Sequence, residues 1–131
     1  MRMTRVNPPD HTTLVATIQP NEYEEAVAVA ELVRDRLDPT VGEIALVVRD
    51  DEQQQGIGSF LLWRLIRLAQ RSGITSLSAS MLAENSPMLR LIGALGLPYT
   101  AMTRRGETQM LVQLPRGQKR SLIVSQTRIE C

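Results

Sequence analysis

Two glycines, Gly56 and Gly58, close a polar stretch that runs from Arg49 through Asp50, Asp51, Glu52, Gln53, Gln54 and Gln55, between a β-rich apolar run and an amphipathic one. In the order strand, glycine loop, helix, the first backbone N–H groups of the helix lack intrahelical acceptors and the positive end of the dipole stands behind them. Such a loop holds an anion without any basic side chain. The anion that suits it best is the pyrophosphate of a nucleotide-like group, cradled by the backbone from Gln55 through Ile57 to Ser59. Glycine at 56 and 58 lets phosphate oxygens approach the main chain closely. Two better-known versions of this loop are excluded. The dinucleotide fingerprint needs a third glycine where Leu61 stands. The Walker loop needs Gly-Lys-Ser/Thr, and the single lysine of the chain is Lys119.

Other chemistry is bounded by composition. The 131 residues suit one domain, with 43% hydrophobic and 22% charged residues, a balance that does not belong to a disordered chain. Aromatics are only 3% and the net charge is +1, so neither base stacking nor a polyanion-binding surface is indicated, and no nucleic-acid partner is expected. The single cysteine, Cys131, excludes an internal disulfide framework and a multi-cysteine zinc site; no metal is expected. His11, the single histidine, reads as a partly exposed strand-edge residue. No apolar run approaches the ~18 residues of a membrane span, and residues 1–10 lack the apolar core of a signal peptide. A cytoplasmic, reducing compartment is the expectation, with no membrane partner.

The elements that must position the loop follow in order. Residues 1–10, with Pro8-Pro9, read as an N-terminal arm. Residues 11–18 alternate at Leu14, Ala16 and Ile18 and predict a strand. The next segment has two readings. Ala26, Ala30, Val33 and Leu37 share one helical face after an acidic first turn, yet Ala26-Val27-Ala28-Val29-Ala30 also suits a strand paired back on its predecessor, and strand is the expectation. Residues 42–49 form a central strand. A helix runs from Gly56 or Gly58 to Arg71 with Ile57, Leu61, Leu65 and Leu68 inward, and Gly73 ends it. Residues 74–82 form a strand parallel to 42–49 through a right-handed crossover. Asn85-Ser86-Pro87 starts a second helix that Gly96 stops. Residues 99–103 and 109–114 make an antiparallel hairpin around Arg104-Arg105-Gly106-Glu107. The expected fold is α/β (α+β), a mixed sheet with a strand–loop–helix–strand crossover at its centre and antiparallel hairpins on its flanks. The domain spans 11–115, followed by a tail, 116–131, that is basic at first.

The run Val48-Arg49-Asp50-Asp51-Glu52-Gln53-Gln54-Gln55-Gly56-Ile57-Gly58 resembles the acetyl-CoA-binding motif of the GNAT superfamily of N-acetyltransferases, Arg/Gln-x-x-Gly-x-Gly/Ala after a strand, with Gln53, Gly56 and Gly58 filling it. A second segment, Leu82-Ala83-Glu84-Asn85-Ser86-Pro87-Met88-Leu89 with Leu95-Gly96-Leu97, is similar to the later helix of that family. In flavour the two segments are nearest the GNAT domain of bacterial protein-lysine acetyltransferases. The resemblance covers residues 11–115 and implies acetyl transfer from acetyl-CoA to a primary amine, on a protein lysine or a small molecule. It implies a cofactor site of Leu46, Val47, Val48, Gln53, Gln54, Gln55, Gly56, Ile57, Gly58, Ser59, Asn85 and Met88. In it, the strands ending at Val48 and starting at Ile74 splay apart, and the pantetheine arm bonds Leu46 and Val48 like an added strand. An N–H near Leu46 or Val47 polarises the thioester carbonyl. Asn85 bonds the arm or caps its helix, and Met88 lines the groove or the core. Glu43 matches the glutamate that serves the family as general base, directly or through water, and a half-buried strand position would suit that role.

The chain departs from the family pattern in three places. Ile92 stands where a tyrosine often protonates the departing thiolate, Gln55 replaces an arginine before the first glycine, and Glu52 replaces an aromatic. Only about ten residues precede the first expected strand, where the family has a strand and helices shaping the acceptor site. The alternative reading is therefore a non-catalytic acyl-CoA-binding or regulatory module. The bare sheet edge left by a short N-terminus would invite a homodimer.

Overall fold

The structure is a computed structural model that describes residues 2–6, 10–49, 56–82 and 86–115, with the side chains of 4–6, 82, 86 and 87 left aside. Its strands are β1 (Arg2–Val6), β2 (His11–Ile18), β3 (Glu25–Arg34), β4 (Val41–Val48), β5 (Ser76–Leu82), β6 (Tyr99–Arg104) and β7 (Glu107–Gln113). Two helices, α1 (Ile57–Arg71) and α2 (Ser86–Gly93), interrupt the series before and after β5. All seven strands form one sheet in the order β1-β2-β3-β4-β5-β7-β6, parallel only between β4 and β5. The expected crossover and the β6–β7 hairpin are therefore present, and the sheet is mixed.

Residues 25–34 form a strand, and the period of burial shows why. Ala28, Ala30 and Leu32 are buried in alternation and pair with Ala16, Leu14 and Thr12 on β2 and with Val48, Leu46 and Ile44 on β4. The helical alternative would have gathered Ala26, Ala30, Val33 and Leu37 on one face, but Val33 is exposed and Leu37 is 97% exposed. Two neighbouring strands offer this segment a full set of ladder hydrogen bonds, and valines at 27, 29 and 33 fit a pleated surface better than a helix.

Residues 2–6 are not a free arm. They pair antiparallel with β2, from Arg2 opposite Thr17 to Val6 opposite Thr13, so β1 takes the edge that a shorter chain would have left to β2. Pro8-Pro9 suggest an arm in the sequence, but the ladder runs through Arg2 to Val6, ahead of them in the chain.

One face of the sheet carries the core. Leu14, Ala16, Ala30, Leu77, Ala79, Met110 and Val112 project from the strands against Ile57, Leu61, Leu62, Leu65, Ile66 and Ala69 of α1 and Ile92 of α2. Of the apolar stripe expected for α1, Ile57, Leu61 and Leu65 are buried and Leu68 only partly, and Leu62, Ile66 and Ala69 widen it. Ser72 ends α1, its N–H bonding to carbonyls of the last turn, and Gly73 follows with φ +82°. Gly96, with φ +70°, follows α2. Arg34 ties sheet to helix: its Nε donates to Asp10 Oδ1 at 3.1 Å and its Nη2 to the Ser72 carbonyl at 2.9 Å, where the negative end of the α1 dipole favours a cation. The opposite face has no helix among the described residues. On β4 it presents Glu43, Ala45 and Val47, all exposed.

Leu65 is fully buried and Leu37 is exposed. Leu65→Ala should lower unfolding free energy by about 2–5 kcal/mol, whereas Leu37→Ala should stay within about 0.5 kcal/mol. Urea denaturation checks both, and a large Leu37 effect would restore the helical reading of that segment.

At the turn into β4, Asp38 Oδ1 accepts from Thr40 Oγ1 at 2.7 Å and from the Thr40 N–H at 3.0 Å. The hydroxyl first, then the amide, holds this carboxyl below its ordinary value of 3.8. Because the folded value is the lower one, the contribution to stability is complete above 3.8 and fades as pH falls through the lowered value. Thr40→Val should move the Asp38 midpoint up toward 3.8 in an NMR titration of the carboxyl carbons.

Candidate functional site

β4 and β5 are parallel partners over three residues only, Val41 with Ser76, Gly42 with Leu77 and Glu43 with Ser78. The closed end is pinned by the Thr40 carbonyl, which accepts from the N–H groups of Thr75 at 2.7 Å and Ser76 at 3.2 Å. Beyond Glu43 the two strands part. Residues 44–48 keep β3 as their strand partner and residues 79–82 keep β7, so a V opens between the carboxyl ends of two parallel strands. The sequence reading expected this splaying.

α1 begins beyond the mouth of the V. Gly56 is its N-cap at φ 81°, ψ 0°, a left-handed conformation that costs a residue with a Cβ about 1–2 kcal/mol. No side chain caps the helix, and its first turn has no acidic residue. The first helical bond is from the Phe60 N–H to the Gly56 carbonyl at 3.0 Å, which leaves the amides of Ile57, Gly58 and Ser59 as the terminal donors. Gly58 sits against the end of β4: an added Cβ would lie at ordinary contact distance, 3.4 Å from Leu91, 3.5 Å from Val48 and 3.6 Å from Leu46. Leu46 and Val48 are partly buried, and Val47 points to the open face and is exposed. Met88 packs partly buried against the core. Gln53, Gln54, Gln55 and Asn85, together with the tail at 116–131, lie outside the described residues.

Glu43 stands at the vertex of the V, in the last pair before the strands separate. It is exposed on the open face, not half-buried as the sequence reading expected, since no helix lies over that face among the described residues. Ladder partners share a face, so the row through Glu43 runs from His11 and Val33 to Ser78 and Leu111. One step along, on the same face, Glu31 of β3 meets His11 Nε2 at 2.9 Å. His11 is thus a half-exposed strand residue paired with a carboxylate. Ile92 is buried in the core, and Tyr99, the nearest tyrosine, is exposed on β6, three strands from β4.

Two surface features went unread in the sequence. A cleft of about 400 Å³ on the outer side of α1 is lined by Phe60, Trp63, Arg64 and Arg67. A groove of about 470 Å³ at the β6–β7 hairpin is lined by Met102, Arg104, Arg105, Glu107 and Gln109. The signal for the second was visible: a tight hairpin favours Asn-Gly, and this one has Arg105-Gly106. Among the described residues no cluster of three or more His, Cys, Asp or Glu is placed to hold a metal, and no helix is long and apolar enough to cross a membrane.

Comparisons with known proteins agree with this architecture. The chain is 39% identical over 70 residues to the acetyltransferase Pat of Mycolicibacterium smegmatis, a match that covers 53% of this chain and 21% of that protein. It superposes on the cAMP-binding acyltransferase from Mycobacterium smegmatis with a TM-score of 0.68 and 29% identity, over 92% of this chain and 37% of the other. It also superposes on yncA from Salmonella typhimurium, solved with its cofactor acetyl-CoA, with a TM-score of 0.63 and 24% identity, over 82% and 66% of the two chains. The chain thus spans about a fifth of the length of the curated relative. The acetyltransferase (GNAT) family matches residues 3–97, from the first strand through the V and both helices, and the chain belongs to that family.

Proposed function

We propose that this chain is the catalytic half-site of an N-acetyltransferase, moving acetyl from acetyl-CoA to a primary amine with Glu43 as the base. The observation that carries the reading is the V between β4 and β5, with an uncapped helix N-terminus beyond its mouth and a carboxylate at its vertex. Each part fits one portion of the donor. The amides of Ile57, Gly58 and Ser59 face no acidic side chain of their own turn and suit a pyrophosphate. The separated edges of β4 and β5 suit an extended amide-bearing arm, which bonds the backbone of Leu46 and Val48 as a strand would. Acetyl-CoA, when bound, supplies the acetyl group as an activated thioester. That yncA was solved with acetyl-CoA supports the assignment by analogy of fold.

The roles of the residues follow from these positions. An amine attacks only when neutral, so the acceptor must lose a proton before or during transfer. Glu43 takes that proton on the open face, directly or through water, and its exposure leaves the acceptor free to approach from that side. The amide of Leu46 or Val47 polarises the carbonyl under attack. Gln53, Gln54, Gln55 and Asn85 complete the donor site, and Met88 flanks it. With Ile92 buried in the core, the thiolate takes its proton from water rather than from a tyrosine at that position. The acceptor is a lysine side chain or a small amine. The chain works in the cytoplasm and needs no metal.

Calorimetric titration should show binding of acetyl-CoA, and Glu43→Gln should cut thiol release by about 100-fold or more with donor affinity unchanged. Binding with no turnover on lysine peptides and polyamines would instead identify a non-catalytic acyl-CoA-binding module. Gly56→Ala should destabilise the fold by about 1–2 kcal/mol and weaken acetyl-CoA binding together, because the left-handed cap aims the helix amides. Donor binding that survives Gly56→Ala at full strength would remove the loop from the site.

A further inference from the structure

We propose that the groove at the β6–β7 hairpin is an acceptor subsite for an acidic polypeptide segment, holding an Asp or Glu about four to six residues from the lysine that reaches Glu43. The proposal rests on the acetyltransferase reading and deepens it by naming the acceptor class.

The first observation is placement. Glu43 pairs with Ser78, Ser78 with Leu111, Ser80 with Gln109, and Gln109 and Glu107 with Met102 and Arg104. The groove residues on β6 and β7 therefore share the open face with Glu43. They lie toward the same end of the sheet as the mouth of the V, because Glu107 pairs with Leu82 at the end of β5. Leu111, exposed beside Ser78, lies between Glu43 and the groove, whose own lining includes the exposed Met102.

The second observation is the turn. Arg105 has φ 53° and Gly106 φ 77°, so both central residues of the two-residue loop are left-handed. Asparagine or glycine is favoured at the first of these positions, and arginine there costs about 1–2 kcal/mol. No side-chain partner offsets that cost, since neither the Arg104 nor the Arg105 guanidinium makes a hydrogen bond or ion pair among the described residues. Glu107 lines the same groove and offsets one of the two positive charges, leaving the groove cationic. A strained, unpartnered cation at a cavity rim marks a place where an anion is received.

Charge and distance select the ligand. The middle of the open face carries Glu43 and Glu31, the latter paired with His11, and suits a cation; the hairpin end suits an anion. Strand spacing and rise put Gln109 about 12 Å and Arg104 about 20 Å from Glu43. An extended chain covers about 3.3–3.6 Å per residue, so a single amino acid cannot reach both ends, whereas a peptide of four to six residues does.

Fluorescence anisotropy on the full chain tests this, with labelled peptides that carry one lysine and an Asp-Glu pair five residues away on either side. The control peptides have Asn-Gln in place of the acids. The acidic peptides should bind about tenfold tighter than the controls, and salt should erode the difference. The double variant R104Q/R105N should abolish the preference while acetyl-CoA binding is unchanged. R105N alone should raise the melting temperature, since Asn-Gly fits the turn, so lost binding cannot be lost folding. Equal affinity for acidic and control peptides, or an acidic preference that survives R104Q/R105N, would overturn the proposal. So would an oligonucleotide of matching charge that binds as tightly and is lost on the same variant. If acetyl-CoA fails to bind while the acidic preference stands, the donor reading falls and the groove remains.

Discussion

Three residue pairs between β4 and β5 carry the architecture of this chain. Parallel strands need a crossover, and here the crossover is α1, which buries its apolar stripe on β3 and β4. The helix can pack that way only if the strands are pinned where the connection returns. Thr40 provides the pin, its carbonyl bonded to two successive amides at the start of β5. With the closed end fixed, twist between neighbouring strands carries the free ends apart, and the antiparallel partners β3 and β7 hold each side of the gap in place. The gap is thus a by-product of ordinary sheet geometry, and it exposes main-chain edges without exposing an unpaired strand.

The sheet divides its faces sharply. The helical face is aliphatic and packed; the few aromatic residues do not enter it, and Phe60 and Trp63 lie on the outer side of α1 instead. Aliphatic side chains and methionine fill the core, and Gly42 leaves room within it for Leu32 of the neighbouring strand and for Ile74. At Gly42 an added Cβ would come within 2.7 Å of Leu32. The bare face collects charge: carboxylates and His11 near the vertex, arginines at the hairpin tip. One face therefore stabilises the fold while the other is free to meet an acceptor.

Much of this was legible from residue order. The two helices, the glycine stop of α1 and the hairpin each have a local cause, and the structure shows them, although α2 ends at Gly93 before the expected stop at Gly96 and the hairpin turns tightly at Arg105-Gly106 instead of over residues 104–107. Residues 25–34 were harder, since alanine and valine serve both a helix and a strand; the choice depended on two flanking edges being available for pairing. Residues 2–6 were missed because adjacent prolines suggest an arm, and only the ladder to β2 shows that the strand ends before them. The burial of Glu43 was misjudged for a similar reason, because alternation along a strand says which residues share a face but not whether anything covers it.

What the amino-acid sequence determined by itself is the local chemistry. The Gly56–Gly58 loop, the amphipathic stripe of α1 and the family of the chain follow from residue types at short spacing, because helix caps, turns and periodicity are set within a few residues. Tertiary structure alone decided three things: the point where β4 and β5 part, the exposure of Glu43 at that point, and the joining of a hairpin tip and a strand vertex on one open face. These depend on register between segments distant in sequence, and register is set by pairing across the sheet, which no local pattern specifies.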